Sequence, residues 1–280
     1  MRSPVGLLLL DLDGTVLAAD LTIRPRVRAA VADAMAAGVV VTIASGRMYR
    51  SLVPYARLLG LEAPLIAYQG ALIRELPGLD GRPGRILDHR PLDRDVARQA
   101  LAWCLAQGLD PHLNIHDRLI IARSDEDTAD YERATGVNAE LVPDLAAALE
   151  LLPDPPTKIL AVGPAGRPEA LLEAARSTFG QRVEVTVSHP QYLELTAPGV
   201  TKGRAMRWLA DHLGIPPTAT MAVGDHYNDL EMIAEAAWGV AMADAPEPVR
   251  ARARYVTDSL ERDGAALAIE ALVLGRGGLD

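Results

Sequence analysis

Cysteine and phenylalanine each occur once in the 280 residues, as Cys104 and Phe179. A lone thiol rules out any disulfide within the chain. Cys104 falls in an amphipathic helical pattern, where it reads as a small buried hydrophobe. Aromatic residues make up 4% of the chain against 49% apolar residues, so the expected core is aliphatic, built from Leu, Val, Ile and Ala. Long apolar runs are also missing. The N-terminal one, Val5 to Leu10, is stopped by Asp11 and is far too short to cross a bilayer. No small-residue cleavage site follows it, so a secretory signal is not expected and the expected compartment is the cytoplasm. Positive charge is scarce: 28 Lys and Arg face 37 Asp and Glu, for a net charge of −9. Such a balance argues against nucleic acid as the main partner. It leaves small phosphorylated ligands open, because a bound cation can invert the local field. No internal repeat or low-complexity tract is visible.

What is present starts with Asp11-Leu12-Asp13-Gly14-Thr15. The preceding apolar run reads as a strand buried on both faces, and Gly14 lets the chain turn sharply after it. Ligands of open parallel sheets collect at the carboxyl ends of strands, which is where these two carboxylates emerge. Taken alone, the pair also fits an acidic turn, or the divalent-metal motif of a sugar transferase. Downstream, a helix is expected from Ile23 to Ala37, a strand from Val39 to Ala44, a helix from Met48 to Leu59 and a strand from Leu65 to Tyr68. This alternation predicts right-handed crossovers and a parallel sheet. The turn-rich stretch Pro77 to Gly84 then breaks the pattern, and from Ile86 to His189 hairpins and helices mix at irregular spacing. Parallel-sheet grammar returns afterwards, with a helix from Thr201 to His212, a strand Thr220 to Val223, a helix Asp229 to Ala236, a strand Trp238 to Met242 and a last helix Gly264 to Leu274. The expected class is α/β: a Rossmann-like parallel-sheet core from residues 1–85 and 190–280, with an α+β cap domain, 86–189, inserted into it.

Four polar groups fall where such a sheet delivers side chains to one edge. Asp11 and Asp13 follow the first strand, Ser45-Gly46-Arg47 follows the second, Gly224-Asp225 with Asn228 and Asp229 follows another, and Lys202 opens a helix. Carboxylates sharing one site raise one another's pKa unless a cation neutralises them. Oxygen ligands without Cys or His suit Mg²⁺ better than zinc.

In their order, Asp11-Leu12-Asp13-Gly14-Thr15, Ala44-Ser45-Gly46-Arg47, Lys202-Gly203 and Gly224-Asp225-His226-Tyr227-Asn228-Asp229 resemble the four motifs of the haloacid dehalogenase superfamily of aspartate-nucleophile phosphatases. Gly239 to Ala245 and Asp263-Gly264 resemble its Cof-like branch, whose members carry an α/β cap. The resemblance spans essentially the whole chain and implies a phosphomonoester hydrolase acting on a small phosphorylated metabolite, either a sugar phosphate or a phosphorylated cofactor. It implies Asp11 as the nucleophile that forms an aspartyl-phosphate, and Asp13 as the acid and base. Asp11, the main-chain carbonyl of Asp13, and Asp225 are the implied Mg²⁺ ligands. Ser45 and the amides of Gly46 and Leu12 are implied to hold phosphate oxygens, with a hydrogen bond from Asn228. Lys202 would offset charge on Asp11, and Asp229 would orient Lys202 or a metal-bound water. A phosphomutase would share the first step, and a non-catalytic module could carry the same fold, although that second case would predict loss of Asp11, Asp13 or Lys202. Ser45 could instead cap a helix. Arg47 reads as a solvated or ion-paired helix residue outside the catalytic set, His226 as lining the site, and His116 and His189 as exposed turn residues.

Overall fold

The computed structural model describes residues 3–278. Its first half-dozen elements are β1 (Leu7–Leu10), α1 (Pro25–Ala36), β2 (Val40–Ile43), α2 (Tyr49–Leu58), β3 (Leu65–Ala67) and β4 (Leu72–Arg74), followed by β5 (Ile86–His89). The four leucines of β1 are all buried, as a strand covered on both faces requires. Pro25 sits in the first turn of α1, where its missing N–H costs no hydrogen bond.

A second group comprises α3 (Arg94–Ala106), β6 (Asp110–Ile115), β7 (Arg118–Ile121), α4 (Glu126–Thr135), β8 (Ala139–Leu141), α5 (Leu145–Leu151), β9 (Lys158–Val162), α6 (Arg167–Phe179), β10 (Glu184–His189) and β11 (Tyr192–Thr196). Last come α7 (Lys202–His212), β12 (Thr220–Gly224), α8 (Leu230–Glu235), β13 (Trp238–Ala241), α9 (Glu247–Arg250), β14 (Tyr255–Val256) and α10 (Gly264–Leu272).

A five-stranded parallel sheet runs β14-β13-β12-β1-β2. Its register aligns Leu10 with Val223 on one side and with Ile43 on the other. The carboxyl ends of β1, β2 and β12 therefore finish level with one another, and the segments after them share one edge. The third expected parallel strand departs from the pattern. β3 meets the end of β2 only through a single parallel bridge, Ala44 to Ile66, and pairs antiparallel with β4, which pairs antiparallel with β5. The cause is local: Tyr68 and Gln69 both take left-handed backbone angles, at φ 52° and 60°, and reverse the chain between β3 and β4.

The second large sheet has six strands in the order β10-β11-β9-β6-β7-β8, antiparallel except where β7 meets β8. Its two faces separate cleanly. Ile159 and Ala161 of β9 and Leu193 and Leu195 of β11 join a core with Cys104 and Phe179. Leu160 and Val162 instead join the apolar cluster of the parallel sheet, as strand alternation dictates. Burial pushes the Cys104 thiol up to about 12, in keeping with an inert core residue.

Two strands pair outside the unit that boundaries at 85/86 and 189/190 would give them. β5 pairs with β4 beside the core, and β11 pairs with β9 and β10 of the inserted sheet. We therefore propose that the chain crosses between the two units at residues 90–93 and 197–201.

Candidate active site

The level strand ends bring together side chains that are distant in sequence. Lys202, at the start of α7, donates from Nζ to Asp11 Oδ1 at 2.5 Å and to Asp229 Oδ1 at 2.6 Å. The helix is begun there by Thr201, whose hydroxyl accepts from the Arg204 amide at 3.0 Å, an N-cap contact. All three charged groups are buried. Asp229 uses its other oxygen, Oδ2, to accept from the amides of Asp225 and His226 at 3.0 and 3.1 Å, which fixes the loop leaving β12. Asp225 in turn accepts from the Thr15 hydroxyl at 2.8 Å. Gly14 makes room for it: a Cβ there would stand 2.3 Å from Asp225 Oδ2, and the residue's φ of +79° favours glycine.

Oxygens of Asp11, Asp225 and Asp229 lie within 4.8 Å of one another. Burial, then the charge of Asp229, holds Asp11 well above the usual carboxylate range despite the pull of Lys202. The same two causes push Asp225 up to about 7. Burial alone would lower Lys202, but Asp11 and Asp229 more than reverse it and hold the ammonium above its usual value. Three crowded carboxylates thus share one ammonium, and the cluster is short of positive charge. Asp229 is committed through both oxygens, whereas Asp11 and Asp225 retain acceptor capacity. A hard divalent cation with oxygen ligands fits this donor set.

The other expected residues surround this cluster. Ser45 is buried and its Oγ accepts from the Arg47 amide at 3.1 Å. The Leu12 carbonyl accepts from the amides of Val16 and Leu17 at 3.0 and 2.8 Å, closing the turn around Gly14. Asn228 donates from Nδ2 to Gln69 Oε1 at 3.1 Å, and its Oδ1 is buried without a partner among the described residues. Asp13 is held differently from Asp11: its two oxygens accept from Arg47 Nε and a terminal guanidinium nitrogen at 2.7 and 2.5 Å. Arg47, set aside in the sequence, is therefore in direct contact with Asp13. His226 lines a cavity of about 520 Å³ together with Gln69, Thr186, Lys202, Tyr227 and Asn228. His116 pairs with Asp154 at 2.7 Å, and the exposed His189 ring lies against Tyr192.

Sequence reasoning overlooked Thr15, Gln69, Lys158 and Glu194. Thr15 closes the first motif and could have been found as a hydroxyl beside two carboxylates. Gln69 sits in what reads as an ordinary turn. Lys158 opens β9 and Glu194 alternates with leucines in β11, so neither stands out in the sequence as a buried charge.

Residues 8–269 match the family model for haloacid dehalogenase-like hydrolases. The chain is 28% identical over 275 residues to a 5-amino-6-(5-phospho-D-ribitylamino)uracil phosphatase of Bacillus subtilis, covering 95% of this chain and 97% of that protein. An HMP-PP phosphatase of Serratia proteamaculans is 29% identical over 237 residues, covering 84% and 82%. Among solved structures, a haloacid dehalogenase-like hydrolase from Bacteroides thetaiotaomicron superposes with a TM-score of 0.81 at 27% identity, over 95% of this chain and 99% of that one.

Proposed function

This chain belongs to the haloacid dehalogenase-like hydrolases, and from that premise we propose that it is a phosphatase releasing phosphate from a small phosphorylated metabolite through an aspartyl-phosphate on Asp11. The observation that carries the reading is the Asp11 carboxylate, buried at the end of β1 and aimed by Lys202 at 2.5 Å. An Asp11 oxygen attacks phosphorus, the ester oxygen departs, and water then cleaves the acyl phosphate, so that one difficult displacement becomes two easier ones. Lys202 offsets the charge of Asp11 and of the transferring group. Asp13 gives a proton to the departing alkoxide and later takes one from the attacking water. Ser45 Oγ and the amides of Gly46 and Leu12, at a strand-to-helix junction, hold phosphoryl oxygens, with Asn228 adding a hydrogen bond. Asp229 orients Lys202 and the loop that carries Asp225. Asp11, the Asp13 carbonyl and Asp225 would hold Mg²⁺, which supplies charge neutralisation between carboxylate and phosphoryl oxygens.

The substrate class is a sugar phosphate or a phosphorylated cofactor, in line with a cavity of about 520 Å³ between β10 and the loop after β12. The inserted sheet is the cap that selects among them. One buried thiol and an acidic surface charge accord with a place in the reducing cytoplasm. No helix among the described residues is long and apolar enough to cross a membrane.

Phosphate release from a panel of phosphorylated metabolites, with Mg²⁺ and with chelator, tests the proposal. Release should require the metal and vanish in Asp11→Asn, which keeps the size of the side chain and removes the anionic nucleophile. Substantial turnover surviving in that variant would eliminate the aspartyl-phosphate route. A phosphomutase would return a rearranged sugar phosphate in place of inorganic phosphate.

A further inference from the structure

Lys158 and Glu194 form an ion pair, Nζ to Oε2 at 3.0 Å, that the reaction above does not use. Both belong to the inserted sheet, and they are 1% and 3% exposed. Strand alternation puts them on the face shared with Leu160, toward the parallel-sheet core. A buried pair of this kind contributes little to stability by itself, since desolvation offsets the attraction.

What marks this pair is its third partner. Lys158 Nζ also donates to the carbonyl of Gly46 at 2.8 Å. That carbonyl and the Arg47 N–H belong to one planar peptide unit, and the Arg47 N–H donates to Ser45 Oγ at 3.1 Å. The lysine thus sets the plane whose other end fixes the Ser45 hydroxyl. Glu194 meanwhile accepts from Gln69 Nε2 at 3.2 Å and from the Ser188 hydroxyl. The packing is tight: a Cβ on Gly46 would come within 2.3 Å of Gln69 Nε2 and 3.3 Å of Glu194 Oε1.

We propose that Lys158 is a positioning residue for phosphate binding: reaching across from the inserted sheet, it holds the Gly46–Arg47 peptide and, through it, Ser45. Glu194 is its charge partner. The inference rests on the reading that Ser45 and Gly46 hold phosphate. It implies that the loop is set only while β9 is seated against the core.

The test compares Lys158→Met, Glu194→Gln and the double variant, by aryl phosphate turnover, by thermal melting and by hydrogen exchange at the Arg47 amide. Misplacing a binding group by about 1 Å costs on the order of 100-fold, so Lys158→Met should lose about 10- to 100-fold in kcat with a smaller change in KM. It should also melt earlier, because Glu194 is left buried and unpaired. Glu194→Gln should melt earlier too, yet keep the slow exchange of the Arg47 amide, since Lys158 still reaches Gly46. The double variant buries no charge and should regain its melting temperature while kcat stays low and the Arg47 amide exchanges faster. Recovery of both kcat and slow exchange in the double variant would overturn the proposal and reduce Lys158 to a counter-ion for Glu194. Should the unaltered protein release no phosphate at all, the phosphatase reading fails, and the Arg47 exchange rates still decide the role of Lys158.

Discussion

Asp13 follows Asp11 by two residues, yet the two carboxylates live in different surroundings. Asp11 is buried against Lys202, whereas the Asp13 side chain is 52% exposed and both its oxygens accept from Arg47. In the acid role proposed for Asp13, the proton would sit on an oxygen that Arg47 also contacts. Asp13→Ala should lower kcat by about 10²- to 10⁴-fold, with KM changing less. The loss should shrink for an aryl phosphate whose leaving group departs without a proton. Equal losses for poor and good leaving groups would remove Asp13 from that role. Asp225 supplies a test by pH. Its ordinary value of 3.8 rises to about 7 on folding. Through that window the folded chain keeps a proton that the unfolded chain has lost, so stability falls as pH rises. In chelator, the melting temperature should carry this downward slope between about pH 4 and pH 7. Asp225→Asn, which buries no charge at that position, should make the slope shallower, leaving the share due to Asp11, and melt later than the unaltered protein at about pH 8. Added Mg²⁺ should close the gap. Identical pH curves for the two proteins would mean that Asp225 is not the strained carboxylate. Asp11, Asp225 and Lys202 were legible in the sequence because each directly follows or opens an element at the same sheet edge. Lys158, Glu194 and Gln69 were not. Glu194 lies in Tyr192-Leu193-Glu194-Leu195, an alternation that reads as one wet face, and only the seating of that face on the core makes it dry.

Among the elements, the strands easiest to read were those covered on both faces. β1 is four leucines, and β2 and β12 are largely apolar, interrupted by Thr42 and Thr220; their helices follow at regular spacing. β5, Ile86-Leu87-Asp88-His89, has no such run and is half exposed, so nothing local ties it to β4. The same holds for β11, whose partners β9 and β10 decide its sheet. Strand pairing is set by contacts remote in sequence, and the crossings proposed above follow the pairings of β5 and β11 and not their local sequence. Turn chemistry was legible, as at Gly14. Gly14→Ala would force a Cβ to 2.3 Å from Asp225 Oδ2 at a φ of +79°. The left-handed backbone alone costs a non-glycine residue about 1–2 kcal/mol. The larger expected effect is displacement of Asp225, so Mg²⁺ affinity by calorimetry should fall much more than the melting temperature. Unchanged Mg²⁺ affinity in that variant would detach Gly14 from the metal site.

For the whole molecule, the decisive feature is that one apolar cluster belongs to both sheets. Leu119, Ile121, Tyr131, Leu160 and Val162 of the inserted unit pack in the same cluster as Leu12, Met48, Tyr49 and Leu52. The unit is thus joined to the core by more than its two chain crossings, although each part also keeps an apolar cluster of its own. Heat should find no intermediate at which the inserted sheet has melted and the parallel sheet survives. Scanning calorimetry should show a single endotherm with van't Hoff and calorimetric enthalpies in agreement, and two resolved endotherms would contradict it. If melting is all-or-none in this way, no half-melted form would leave the buried Asp11 and Asp229 open to solvent while the parallel sheet persists: the carboxylate cluster would be either covered or dismantled.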